Sequence, residues 1–269
     1  MIKMIAIDLD GTLLDTKKKI STRNKVALAK AKAQGVKIVL CTGRPLRAIR
    51  PYLDELQLKE SGDYSITFNG GLVQKNDTGE VMAKSTLSYA NVKELVELAQ
   101  RLGLPLDVVS DEVVYILPTD PQHESIYAQL NPLLHFQLFT VAELTEDLLY
   151  NKAVVAFEQT YLDQQLAKIP ADFKERYEII KTRDVLLEFM PKGVTKAYGC
   201  QLLAEHLGIT ADEVMAIGDE ENDLPMIEYA GLGVAMENAV PMVKAAADVV
   251  TASNTNDGVA QVVEKYVLQ

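Results

Sequence analysis

Two short acidic segments contain the residue types that could do chemistry. The first, Asp8-Leu9-Asp10-Gly11-Thr12, follows the apolar run Ile5-Ala6-Ile7, and the second, Gly218-Asp219-Glu220-Glu221-Asn222-Asp223, follows Val214-Met215-Ala216-Ile217. Oxygen ligands with no His or Cys beside them favour Mg²⁺. Asp8 and Asp10, two residues apart, could also supply a nucleophile and a general acid or base. The alternative is that these acids only form turns and begin helices.

Two further segments carry groups that suit a phosphate. Thr42-Gly43-Arg44 offers a hydroxyl, and its glycine lets backbone N–H groups approach an anion closely. Lys196 lies where a helix is expected to begin; a lysine there opposes the helix dipole, so a bound anion would account for it. Asn222, neutral among acids, could donate to the same anion. The alternatives are an ordinary strand-to-helix turn and a solvated lysine, which is also how we interpret Lys17-Lys18-Lys19.

The hydrophobic pattern predicts the elements that position these residues. The first third of the chain alternates strand and helix, with strands at 5–7, 36–41 and 65–68 and a helix capped by Ser21. The last third repeats the alternation, with a helix at 195–206 and strands at 214–217, 232–234 and 248–250. Such alternation is typical of a parallel sheet. Chemistry gathers at the carboxyl ends of its strands, where Asp8, Thr42 and Asp219 are expected.

The middle of the chain has a different pattern. It combines an amphipathic helix at 92–102 with strands predicted at 106–109, 113–117, 153–157 and 177–180, so residues 85–188 are predicted to form an α+β insert. The insert contains 17 acidic and 8 basic residues, and the rest of the chain is close to neutral. Most of the protein's negative charge is therefore expected on the insert.

Composition excludes several classes of protein. The 269 residues carry a net charge of −11, which argues against binding to nucleic acid. No apolar run approaches the ~20 residues of a membrane span, and the N-terminus does not read as a secretory signal. The two cysteines, Cys41 and Cys200, are far apart, and the three histidines are scattered, which argues against zinc and against a disulfide scaffold. We therefore expect a cytoplasmic protein with no membrane partner.

The four segments, in this order, resemble the motifs of the haloacid dehalogenase-like superfamily, and the large insert resembles the cap of its Cof-type branch, which includes sugar phosphatases. The match covers essentially the whole chain. One departure is that Ala197 follows Lys196, where this branch often has glycine. The resemblance implies an α/β fold: a Rossmann-like, doubly wound parallel-sheet core of residues 1–84 and 189–269, and an inserted α+β cap domain of residues 85–188 that selects the substrate.

The resemblance also implies a role for each motif residue. Asp8 would be the nucleophile that forms an aspartyl-phosphate, and Asp10 would protonate the leaving alkoxide and then activate water. Mg²⁺ would bind the Asp8 carboxylate, the Asp10 backbone carbonyl and Asp219, with Asp223 supporting that shell. The residues implied to hold the phosphoryl oxygens are Thr42, Gly43, Lys196 and Asn222.

The implied function is a Mg²⁺-dependent phosphatase for small phosphorylated metabolites, sugar phosphates first. Asp10 favours this chemistry, because the family's dehalogenases lack an acid at that position and its transport ATPases usually carry threonine. Two alternatives remain: a phosphomutase of the same superfamily, and a catalytically silent regulator that binds a phosphometabolite. The sequence fixes neither the physiological substrate nor the oligomeric state.

Overall fold

A computed structural model describes residues 1–111, 113–132 and 134–269 of the chain. Its strands are β1 Met4–Ile7, β2 Lys37–Cys41, β3 Tyr64–Thr67, β4 Leu72–Lys75, β5 Val81–Lys84, β6 Asp107–Val109, β7 Val113–Ile116, β8 His135–Leu138, β9 Lys152–Ala156, β10 Tyr177–Arg183, β11 Leu186–Pro191, β12 Val214–Gly218, β13 Leu232–Ala235 and β14 Val249–Val250. Its α-helices are α1 Thr22–Ala33, α2 Leu46–Glu55, α3 Tyr89–Leu102, α4 Tyr127–Leu130, α5 Gln159–Leu166, α6 Ala171–Arg176, α7 Lys196–Leu207, α8 Leu224–Tyr229, α9 Pro241–Ala246 and α10 Gly258–Tyr266.

The chain divides into two compact units. One consists of Met1–Lys84 and Thr195–Gln269, and the other of Ser85–Val194. The first boundary coincides with the predicted one after residue 84. The second lies six residues beyond the predicted boundary after residue 188, because β11 pairs along its length with β10 and β9 and so belongs to the second unit.

The first unit is built on an eight-stranded sheet in the order β14-β13-β12-β1-β2-β3-β4-β5. Pairing is parallel from β14 to β3, and β4 and β5 extend the edge as antiparallel strands. The central strands are continuous apolar runs because both faces are covered by helices. The predicted Rossmann-like α/β core is therefore confirmed.

Alternate residues of the same strands face two separate cores, as the period of a strand requires. Ile5 and Ile7 pack in a cluster with residues of α1, α2 and α10, whereas Met4 and Ala6 pack in a second cluster with residues of α7. Cys41 and Cys200, which lie in this second cluster, are unpaired and buried. The helices thus cover opposite faces of one sheet, which is the doubly wound arrangement predicted from the sequence.

The second unit is built on a six-stranded sheet in the order β10-β11-β9-β6-β7-β8. Its pairs are antiparallel except β7 with β8. Val92 and Leu95 of α3 pack against Val108, Ala153 and other residues of one sheet face in a single apolar cluster. The strands β8 and β11 were not predicted. In the described part of the chain, no helix is both long enough and apolar enough to cross a bilayer.

Candidate active site

Three neighbouring parallel strands of the first unit end at the predicted site residues. The strands β12, β1 and β2 are adjacent in the sheet, and Asp219, Asp8 and Thr42 follow them directly. All three side chains are buried, with relative exposures of 5%, 7% and 2%. Because the carboxyl ends of parallel strands lie along one edge of the sheet, the alternating pattern of the sequence brings these residues together.

Lys196 links Asp8 to the second acidic segment. Its Nζ lies 2.6 Å from Oδ1 of Asp8 and also donates to Oδ1 of Asp223. Thr195 caps the first turn of α7 by accepting from the backbone N–H of Tyr198, which fixes Lys196 as the first residue of the helix. Lys196 is 1% exposed, so its amine is fully enclosed by this site. The lysine at this helix start therefore pairs with carboxylates rather than with solvent.

The loop after β1 is shaped to fit Asp219. The hydroxyl of Thr12 donates to Oδ1 of Asp219 at 2.5 Å. Gly11 has a φ of +87°, and a Cβ at this position would lie 2.1 Å from Oδ2 of Asp219. Only glycine allows both the left-handed backbone and this close approach. Thr12 and Gly11 therefore fix the carboxylate of Asp219 beside that of Asp8.

Carboxylate oxygens of Asp8, Asp219 and Asp223 lie within 4.8 Å of one another, and all three residues are buried. Burial raises the pKa of Asp8, a shift that Lys196 opposes and Asp223 reinforces. Burial and then repulsion by Asp8 raise the pKa of Asp219. Lys196, despite its burial, has a raised pKa because Asp223 and Asp8 favour its charged form.

The charge and ligand chemistry of this cluster fit a divalent cation. Full ionisation of the three carboxylates against one ammonium would leave two negative charges uncompensated in a buried space, so a nearby cation would favour the ionised forms of Asp8 and Asp219. Hard oxygen ligands such as carboxylates suit Mg²⁺, and neither Cys nor His belongs to the cluster. The residues present therefore fit Mg²⁺, the metal that the resemblance in the sequence implies.

The carboxylate of Asp10 belongs to a different set of contacts. Arg44 donates to both of its oxygens, from Nε at 2.9 Å and from Nη2 at 2.6 Å, and Lys18 reaches Oδ1 at 2.5 Å. Burial would raise the pKa of Asp10, but the charges and hydrogen bonds of Arg44 and Lys18 lower it to about 2. In this arrangement Asp10 is a carboxylate, and its negative charge, after burial and the charge of Asp223, also helps to raise the pKa of Asp8.

Thr42, Gly43 and Asn222 are connected through Asn69, a residue that the sequence reasoning did not select. The backbone N–H of Asn69 donates to the carbonyl of Thr42, and its Oδ1 accepts from Nδ2 of Asn222 at 3.2 Å. A Cβ on Gly43 would lie 3.1 Å from the Asn69 amide. Asn69 has a φ of 53°, a left-handed backbone that asparagine tolerates better than most residues.

The turn after β3 also sets the position of α7. Gly70 has a φ of +99°, and a Cβ there would lie 1.9 Å from the backbone carbonyl of Thr195. The turn can therefore approach Thr195, the N-cap residue of α7, only because this position is a glycine. The segment Asn69-Gly70-Gly71 in the sequence signals a turn, but not its role in joining the loops of Gly43, Asn222 and Lys196.

Arg44, Lys18 and Thr12 were also not predicted as site residues. Arg44 and Thr12 lie within two of the four predicted motifs, and Lys18 lies in a run of three lysines. Lys18 was interpreted as part of a solvated run, and its side chain is indeed 54% exposed, yet it pairs with Asp10. An exposed lysine beside an acid gives no distinguishing signal in sequence. The signal for Arg44 was its position directly after Thr42 and Gly43 in a loop at the end of a strand.

The sequence and the fold are both similar to those of known proteins. The family model for haloacid dehalogenase-like hydrolases matches residues 5–263. "Putative phosphatase YxeH" of Bacillus subtilis (strain 168) is 39% identical over 268 residues, which span 100% of this chain and 99% of that protein. A haloacid dehalogenase-like hydrolase from Bacteroides thetaiotaomicron is similar in structure, with a TM-score of 0.83, 32% identity and coverage of 98% and 99% of the two chains. The sugar phosphatase BT4131 aligns with a TM-score of 0.82 and 29% identity over 98% of each chain.

Proposed function

Since the chain belongs to the haloacid dehalogenase-like hydrolase family and is a phosphoric monoester hydrolase, we propose that it hydrolyses small phosphomonoesters through a phosphoryl group carried on Asp8. Sugar phosphates are the first candidates, because the structurally similar BT4131 is a sugar phosphatase. The observation that carries the proposal is the buried cluster of Asp8, Asp219 and Asp223 around the amine of Lys196.

Asp8 is the proposed nucleophile because it lies at the end of the central strand β1 and its carboxylate is hydrogen-bonded to Lys196. A carboxylate that meets a phosphate dianion at ~4 Å experiences roughly 8 kcal/mol of repulsion at an effective dielectric constant of about 20. Lys196 supplies one positive charge against that repulsion. The attack forms a bond between a carboxylate oxygen of Asp8 and phosphorus and releases the alkoxide.

We propose that Mg²⁺ is held by Asp8, Asp219, Asp223 and the backbone carbonyl of Asp10. When bound, Mg²⁺ neutralises negative charge on the carboxylates and on the phosphoryl group being transferred. Thr12 and Gly11 keep the carboxylate of Asp219 in place for this role. Asp223 is oriented by the backbone N–H groups of Asp219 and Glu220, which donate to its second oxygen, Oδ2.

Asp10 is the proposed general acid and base. Its contacts with Arg44 and Lys18 hold it as a carboxylate, the form that accepts a proton from the water that attacks phosphorus in the second step. Donation of a proton to the leaving alkoxide needs the protonated form, so the pairing with Arg44 has to open during the first step. Arg44 is therefore proposed to control which of the two roles Asp10 performs.

The transferring phosphoryl oxygens are proposed to be held by Thr42, Gly43, Lys196 and Asn222. Asn69 supports this assignment because it contacts Thr42 and Asn222 and lies against Gly43. It therefore acts as a positioning residue for the loops that would surround the phosphate. Backbone N–H groups at a loop of this kind suit an anion.

The second unit, Ser85–Val194, is proposed to act as the cap domain that selects the leaving group. Its acidic composition disfavours long polyanionic substrates. A kcat/KM for an oligonucleotide 5′-phosphate as high as that for hexose phosphates would contradict this selection.

The two unpaired, buried cysteines favour a reducing compartment, and we propose that the protein works in the cytoplasm.

The proposal is tested by a phosphate-release screen over sugar phosphates and other phosphorylated metabolites, with p-nitrophenyl phosphate as a general substrate. Turnover should require Mg²⁺, disappear in EDTA and be lost in Asp8→Asn. The matched control is Asp77→Asn, which changes an exposed aspartate of a β-hairpin turn in the same unit. Conversion of a hexose 1-phosphate into its 6-phosphate with little free phosphate would instead identify a phosphomutase. Binding without any turnover would identify a silent regulator.

A further inference from the structure

A cavity of about 350 Å³ lies within the second unit, beside the strands β6, β7 and β8. Its walls are largely apolar and include Ile116, Leu117, Ala128 and Phe136. A volume of this size lies in the lower part of the range for small-molecule sites, which runs from about 300 to 1,000 Å³. The cavity is therefore suited to a compact ligand with an apolar body.

Asp107 contributes a buried carboxylate to this apolar cavity. It is the first residue of β6, faces away from the core that holds Val108, and is 1% exposed. Its Oδ2 accepts a hydrogen bond from the hydroxyl of Ser125 at 2.5 Å, and the same hydroxyl accepts from the N–H of Tyr127 at the start of α4. This chain of contacts gives Oδ2 a structural role.

The other oxygen of Asp107 has no such role. Oδ1 is buried and has no hydrogen-bond partner among the described residues. Leaving a buried carboxylate oxygen unpaired is costly, and such atoms in folded proteins are normally satisfied by protein, water or a ligand. Among the described residues, Oδ1 is therefore available to accept a hydrogen bond from water or from a bound ligand.

The surroundings of Asp107 determine the charge of that donor. Among the residues the structure describes, no lysine or arginine forms an ion pair with Asp107, and the nearby buried Lys152 is paired with Glu188. Burial raises the pKa of Asp107 to about 6, although the hydrogen bond from Ser125 opposes the shift. Glu124 adds a second acidic side chain to the lining of the cavity. Near neutral pH the cavity therefore presents negative charge that no lysine or arginine in the described part of the chain pairs with.

From this juxtaposition we propose that the cavity binds a small organic ammonium ion, with its N–H group donating to Oδ1 of Asp107 and its apolar body against Ile116, Leu117 and Phe136. A charged hydrogen bond in a largely apolar site is among the stronger polar interactions available to a protein. A polyol would fit less well, because most of its hydroxyl groups would face apolar walls. The inference does not depend on the chemistry proposed for Asp8.

Isothermal titration calorimetry of the full chain with phenethylammonium tests the site directly. The neutral analogue 2-phenylethanol has nearly the same shape, and its affinity is expected to be at least about tenfold lower, since its hydroxyl can still donate to Oδ1 but carries no positive charge to pair with the carboxylate. Asp107→Asn should weaken phenethylammonium binding by about the same factor. The matched control is Asp147→Asn, an exposed aspartate of the same unit, which should leave the affinity unchanged.

A second variant keeps the test decisive if Asp107→Asn folds poorly. Ala128→Phe leaves the carboxylate in place and fills the cavity, so it should abolish binding of both probes. The proposal is overturned if phenethylammonium does not bind, if it binds no better than 2-phenylethanol, or if neither variant changes its affinity.

Steady-state kinetics identify the source of the natural ligand. If phenethylammonium raises the KM for p-nitrophenyl phosphate without changing kcat, the amine and the phosphate substrate exclude one another, and the ammonium group belongs to the substrate. If KM is unchanged while calorimetry shows binding, the ligand is a separate amine. Because calorimetry needs no phosphate chemistry, failure of this site and failure of the proposed phosphatase function give different results.

Discussion

Arg44 and Asp10 form a bidentate ion pair. The guanidinium donates from Nε to one carboxylate oxygen at 2.9 Å and from Nη2 to the other at 2.6 Å. The two residues belong to loops at the ends of the adjacent strands β1 and β2. The pair sets the protonation state of the residue that we propose as acid and base.

Removing Arg44 should change the pH dependence of the reaction. In Arg44→Ala the carboxylate of Asp10 loses its main cationic partner, so its pKa should rise by roughly one to three units. The acidic limb of kcat for p-nitrophenyl phosphate, which depends on ionised Asp10 when hydrolysis of the phosphorylated enzyme limits turnover, should move to higher pH by a similar amount. Arg47→Ala, which changes an exposed arginine of the same segment, is the control. An unchanged acidic limb would mean that Arg44 does not govern Asp10.

Removing the proposed proton donor Asp10 should lower the rate of hydrolysis most for substrates with poor leaving groups. In Asp10→Asn, hydrolysis of a hexose phosphate should fall by about 10²–10⁴-fold, because the alkoxide leaves without a proton donor. p-Nitrophenolate needs no such donor, so formation of the phosphorylated enzyme from p-nitrophenyl phosphate should fall much less. Pre-steady-state release of p-nitrophenol measures that step. Equal losses for the two substrates would argue against general acid catalysis by Asp10.

The thermal stabilisation by Mg²⁺ should increase with pH. Burial raises the pKa of Asp8 and of Asp219 above the unfolded value of about 4, so their contribution to folding stability is present at low pH and declines as pH rises. Mg²⁺ binds the ionised carboxylates and should restore stability most where they are ionised. Differential scanning fluorimetry should therefore give a larger Tm increase at about pH 8 than at about pH 5.5. Asp219→Asn should reduce the increase, and a pH-independent increase would contradict the assigned ligands.

Lys196 should matter to the stability of the metal-free protein as well as to its activity. Lys196→Met removes the only ammonium that contacts Asp8 and Asp223 among the described residues, so the free energy of unfolding should fall by about 3–5 kcal/mol. Urea denaturation in EDTA measures the change. Lys30→Met, at an exposed position of α1, should stay within about 0.5 kcal/mol of the wild type. A loss of activity without a loss of stability would mean that the buried pairs are not formed in solution.

The sequence was most informative where the hydrophobic pattern ends at a polar residue. Asp8, Thr42 and Asp219 could be placed together because a parallel sheet brings the carboxyl ends of its strands to one edge. Lys196 could be placed at a helix start because the helical pattern of residues 195–206 begins there. These inferences depend only on burial and periodicity, which are local properties of the chain.

The remaining features depend on contacts between distant segments, which no local pattern encodes. The pairing of Arg44 with Asp10 depends on which rotamers two loops adopt, and the contact of Asn69 with Asn222 joins residues far apart in sequence. The strand β8 is short and mostly exposed, so it carries almost no hydrophobic signal. The predicted domain boundary after residue 188 falls inside β11, a strand that the sequence analysis did not predict and that pairs with β10.

Trapping the phosphorylated enzyme is the most direct test of whether Asp8 carries the phosphoryl group. The enzyme with Mg²⁺ is mixed with a ³²P-labelled sugar phosphate that the screen identifies as a substrate, quenched in acid within one turnover, and digested for peptide mapping. We expect a hydroxylamine-sensitive label on the peptide that contains Asp8, appearing at least as fast as phosphate release, and no label in Asp8→Asn. Phosphate release at the full rate with no label on Asp8, or undiminished turnover by Asp8→Asn, would contradict this role of Asp8.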